Sequence, residues 1–85
     1  MRIQTAIPFR LDLPRALLAV AKARHEGASR WGPNTWQAIP EADHLAHALR
    51  HLLLDQAGDE TEPHLEHAAL RLLMLLERRA RKGTA

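Results

Sequence analysis

Residues 61–82 read TEPHLEHAALRLLMLLERRARK, and this stretch decides the fold. Thr61 stands where a helix N-cap is expected, and Pro63 falls in the first turn, where its missing N–H costs little. The pattern predicts a helix from about 62 to 81. Within it Ala68, Ala69, Leu70, Leu72, Leu73, Met74, Leu75 and Leu76 leave almost no polar face. A helix that is apolar all round belongs inside a bundle. One short chain has too few helices to surround it, so the sequence predicts a homodimer: an antiparallel helical bundle with this helix at its centre.

Working toward the N-terminus, Gly58 is a left-handed stop and Pro40 an opening residue, so a second helix is expected over about 40–57. The connection from Gly58 to Thr61 is short, which makes these two helices antiparallel neighbours. Before them, Trp31 and Trp36 flank the turn signal Gly32-Pro33-Asn34. Tryptophans in such a loop either pin it to the core or line a pocket where a flat ring stacks on a base. Asp12 as N-cap and Pro14 in the first turn open a helix over about 13–26, with Leu13, Leu17, Val20 and Ala21 on its apolar side and Gly27 as its end. Residues 1–11 carry Pro8 and no helical period, and read as an extended arm. The chain is thus all-α, a single helical domain over 12–82.

Composition agrees. Of the 85 residues 46% are hydrophobic, yet there is one Phe and no Tyr, so Leu and Ala, both helix formers, supply the apolar surface. Without cysteine no disulfide staples so small a core, which again points to oligomerisation. The formal charge is only +2, with Arg78, Arg79, Arg81 and Lys82 gathered at the C-terminal end. Cations there suit the negative end of a helix dipole, and nucleic-acid binders carry a denser basic stripe. No segment approaches the roughly 20 apolar residues of a bilayer span, and a cytoplasmic protein is the default expectation.

Chemistry concentrates in histidine. Five of the six lie between positions 44 and 67, as His44-x2-His47-x3-His51 and His64-x2-His67. At 3.6 residues per turn the first three share an arc of about 60°, and the last two share an edge of the returning helix. Facing imidazoles at such spacings are how helical bundles build metal sites. Leu45, Leu49 and Leu52, however, lie more than about 90° from that arc. If those leucines face the core, the histidines are solvated or merely hydrogen-bonded. Glu41-x2-His44 matches a di-iron helical unit only once, where two are needed. Ser29 is the sole serine, so no serine or cysteine nucleophile is set up.

Four segments in order also carry a resemblance: Arg30-Trp31-Gly32-Pro33-Asn34-Thr35-Trp36, His47-Ala48-Leu49-Arg50-His51-Leu52, Asp59-Glu60-Thr61, and His64-Leu65-Glu66-His67-Ala68. Together they resemble the phage dATP/dGTP diphosphohydrolase-like family, related to the MazG-type all-α nucleoside triphosphate pyrophosphohydrolases, over about residues 12–77. The resemblance implies a dimeric or tetrameric enzyme that uses Mg²⁺ or Mn²⁺ to cleave a (deoxy)nucleoside triphosphate to monophosphate and pyrophosphate. It implies a metal held by Asp59 and Glu60 with His47, His51, His64 and His67. Catalytic roles fall to Asp59, Glu60, His51 and His64, one of the last two as general base. Arg50 is assigned to phosphate, and Trp31, Asn34 and Trp36 to the base.

Two departures stand out. The MazG-type signature Glu-Glu-x-x-Glu followed by Glu-x-x-Asp is replaced by His47-x3-His51 and His64-x2-His67, a donor set that favours Zn²⁺, Mn²⁺, Ni²⁺ or Fe²⁺ over Mg²⁺. The family's Glu-(Ser/Thr)-Gly turn is here Glu60-Thr61-Glu62-Pro63. Two other readings follow. One is a non-catalytic helical interaction protein that lacks the acidic metal cluster. The other, ranked last, is a small nucleic-acid-binding protein resting on the basic tail.

Overall fold

A computed structural model describes residues 10–83. Its elements are α1 (Pro14–Trp31), a 3₁₀ turn (Thr35–Ala38), α2 (Glu41–Gln56) and α3 (His64–Gly83), with no strand among the described residues. The expected arm at 1–11 lies almost wholly outside them. None of these helices is long and apolar enough to cross a membrane.

Helix α1 runs through Gly27 and stops at Gly32. Among the described residues only Gly32 (φ 98°) and Gly58 (φ 85°) take positive φ, the conformation that breaks a helix and that glycine adopts without a Cβ penalty. The Gly32 N–H donates to the Ala28 carbonyl and closes the last turn. Neither expected N-cap forms. Asp12 pairs with Arg10 at 3.5 Å instead, and Thr61 turns its hydroxyl to Asp59. Helix α3 accordingly starts at His64.

Helices α2 and α3 form an antiparallel hairpin. His51 meets His64, His44 meets Arg71, and Glu41 meets Arg79, so partners advance along one helix as they retreat along the other. The faces that meet are not the leucine faces. Ala48 and Ala68 are each 1% exposed, and around them His44, His51 and His64 are buried at 0%, 6% and 2%. Small side chains let the helices approach closely, and the imidazoles satisfy one another and nearby backbone. Of the histidine arc on α2, His44 and His51 are therefore buried and hydrogen-bonded rather than solvated, and only His47 is exposed. Leu45, Leu49 and Leu52 point outward instead, at 52%, 57% and 38% exposure.

The expectation that α3 is buried on all sides does not hold within one chain, because Leu65, Leu72, Leu73 and Leu76 are exposed. On both helices the leucines lie roughly 100° round from the buried face, in the same rotational sense. Antiparallel packing brings both stripes to the same side of the hairpin. Helix α1 lies across the other side, beside His67, Arg71 and Met74.

Candidate functional site

A polar chain runs from the α2–α3 connection into the helix interface. The carboxylate of Asp59 accepts from the Thr61 N–H at 2.9 Å, from the Thr61 hydroxyl at 2.5 Å and from His64 Nε2 at 3.0 Å. The two Thr61 bonds, then the His64 bond, hold this carboxyl down at about 2. A carboxylate accepts, so His64 carries hydrogen on Nε2. With His64 neutral, its Nδ1 has its lone pair toward His51 Nδ1, 2.9 Å away, and His51 donates across that contact. By elimination His51 presents an Nε2 lone pair at the opposite end of its ring. Burial lowers the His51 pKa, and His67, His64 and Arg50 lower it further against the pull of Glu62. This favours the neutral, electron-donating imidazole.

Ligand atoms of His51, Glu62 and His67 all lie within 4.8 Å of one another. The His51 and His67 rings are 5.1 Å apart between centroids and tilted by 48°. Two imidazoles and a carboxylate with coordination positions to spare form a set that fits Zn²⁺, Mn²⁺ or Fe²⁺, whereas Mg²⁺ prefers oxygen donors.

His67 and Glu62 also border a cleft of about 580 Å³ between α1, the tryptophan loop and the start of α3. Its walls carry Arg24, Arg30 and Arg71 as well as Trp31 and Trp36. The loop is fastened from several directions. Arg24 donates to the Pro33 carbonyl, Thr35 to the Trp31 carbonyl and Arg78 to the Ile39 carbonyl. Arg81 lies over the Trp36 ring at 5.6 Å from its centroid, and Arg79 and Lys82 pair with Glu41 at 3.3 and 4.0 Å. The basic tail thus serves contacts within the chain. Beneath the cleft wall, His44 Nε2 is 2.9 Å from the Trp36 carbonyl and its Nδ1 is 3.2 Å from Arg71.

Among the residues expected from sequence, His51, His64, His67 and Asp59 are brought together, and Trp31 and Trp36 both reach the cleft. His47, Arg50 and Glu60 are exposed and border neither the cleft nor the three-residue group, and exposed Asn34 accepts a hydrogen bond from Gln37. Glu62, Arg24 and Arg71 escaped the sequence reading as site residues, and His44 was counted in its first histidine cluster without a role of its own. Arg71 carried a legible signal: it follows His64 and His67 by seven and four positions, on the same helical edge. Glu62 carried none, being expected inside the first turn of the third helix.

No curated protein and no solved structure matches the chain. A family model described as dATP/dGTP diphosphohydrolase, N-terminal, matches residues 2–85. With that match spanning nearly every residue, the chain belongs to the family of dATP/dGTP diphosphohydrolase N-terminal domains.

Proposed function

We propose that the protein is a divalent-metal-dependent hydrolase of deoxynucleoside triphosphates, adding water across the α–β phosphoanhydride to give monophosphate and pyrophosphate. The observation that carries this reading is one cleft with a candidate metal set at one edge, three guanidinium groups in its walls and two indole rings near its mouth. Such an enzyme acts on nucleotide pools and belongs in the cytoplasm.

His51, His67 and Glu62 would hold the cation. When bound, a divalent ion there supplies charge neutralisation at phosphate oxygens and acidifies attached water. Asp59 and His64 fix the His51 tautomer and leave its Nε2 lone pair free to ligate, as partners behind a ligating histidine do. Arg24, Arg30 and Arg71 take up the remaining phosphate charge, for which planar guanidinium groups are suited. Trp31, 69% exposed, and half-buried Trp36 offer π-faces for a base. We infer that the molecule works as a homodimer, with the outward leucine stripes of α2 and α3 meeting those of a second copy. So large an apolar face on a small domain marks an interface.

Pyrophosphate release from dATP and dGTP, assayed with Mn²⁺ and with Zn²⁺, tests the reading. Turnover is expected to vanish with chelator and to fall about a hundredfold or more in His67→Ala. Absence of turnover with every divalent ion would remove the enzymatic reading.

A further inference from the structure

His44 is the largest fully buried side chain among the described residues, at 0% exposure, and the mechanism above does not use it. It does not line the cleft described above, yet it touches two groups that do. One ring nitrogen meets the Trp36 carbonyl on the tryptophan loop, and the other meets the Arg71 guanidinium on α3. These partners dictate the tautomer. A carbonyl only accepts and a guanidinium only donates, so Nε2 carries the hydrogen and Nδ1 the lone pair.

The consequence for Arg71 is specific. Its side chain is half-buried in the cleft wall and makes no other hydrogen bond to a described residue. Arginine has five N–H donors in a planar fork, so several remain for a ligand. Asp43, the nearby carboxylate on α2, forms no ion pair with it within 4.0 Å. An imidazole thus anchors the guanidinium without cancelling its charge. A carboxylate in the same place would consume much of the field that an anionic ligand needs.

We propose that His44 is a positioning residue that aims Arg71 at the substrate's phosphates through Nδ1 and ties the Trp36 loop to the same point through Nε2. The proposal rests on the cleft being a nucleotide site. It makes one imidazole the common support for the phosphate end and the base end of that site.

Asparagine and glutamine separate the two contacts. Asn places its amide oxygen near the position of Nδ1, whereas Gln places its amide nitrogen near that of Nε2. His44→Asn therefore keeps the Arg71 contact and loses the loop contact, and His44→Gln does the reverse. The probe is inorganic triphosphate with Mn²⁺, which has no base and reports only the phosphate end, titrated calorimetrically against the full chain. H44Q is expected to bind about tenfold more weakly than wild type, and H44N to stay within about threefold. Arg71→Met should cost little more in the H44Q background, because the two residues act as one unit. Equal affinities for H44N and H44Q, or an additive effect of R71M, would overturn the inference while leaving the functional reading intact. A wild-type protein that does not bind triphosphate would overturn both. Imidazole ¹⁵N shifts of the wild-type protein provide a check free of substitutions: hydrogen on Nδ1 of His44 leaves Arg71 without an acceptor and also overturns the inference.

Discussion

Asp59 shows how single residues set the site. Its carboxylate is held at about 2 by two bonds from Thr61 and one from His64. A carboxyl whose folded pKa is depressed stabilises the fold fully above the unfolded value and loses that contribution as pH falls through the folded one. The Asp59 contacts should therefore persist down to about pH 4 and give way only toward about pH 2. In a ¹³C titration the Asp59 carboxyl should show a midpoint near 2. In Thr61→Val, which retains the backbone bond and lacks the hydroxyl, the midpoint should rise toward 3.8. An unchanged midpoint in the variant would mean that the Thr61 hydroxyl does not hold the turn. Thr61 was legible in the sequence as a helix cap. Its role differs: the hydroxyl donates to the charged carboxylate of Asp59, two residues before it, and α3 begins only at His64.

At the scale of elements, the periodicities of α2 and α3 were plain, but which stripe turns inward was not. Each helix carries a leucine stripe and a histidine–alanine stripe, and hydrophobicity alone chooses the leucines. The chain folds the other way because Ala48 and Ala68 permit close approach while His51 and His64 satisfy each other. Such pairing depends on the register between two helices and is invisible within either one. The outward leucines are what a second copy is proposed to cover. Sedimentation or light scattering should accordingly give twice the chain mass for the wild type. Leu49→Glu with Leu72→Glu should shift it to the monomer, since buried unpaired carboxylates are strongly disfavoured. A wild-type mass of one chain, or a double variant that stays dimeric, would count against this interface.

At the scale of the whole molecule, the all-α architecture and the convergence of His51, His64, His67 and Asp59 near one bend were readable from spacing and a short connection. The cleft was not, because its walls come from three separate segments. Arg24 lies in α1, Trp36 in the loop and Arg71 amid leucines in α3, and only the folded chain sets them around one space. The basic tail read as a dipole partner or a nucleic-acid contact. Arg81 and Lys82 do stand in the last turn of α3, and the tail's side chains also reach Ile39 and Trp36 of the loop and Glu41 of α2. The proposed hydrolysis depends on His51, Glu62 and His67 converging on one ion. Elemental analysis after equilibrium dialysis against Zn²⁺ or Mn²⁺ tests that claim most directly. The account predicts about one ion per chain in the wild type and a large loss of binding when His67 becomes alanine. A metal-free wild type, or stoichiometric metal retained in His67→Ala, would contradict it.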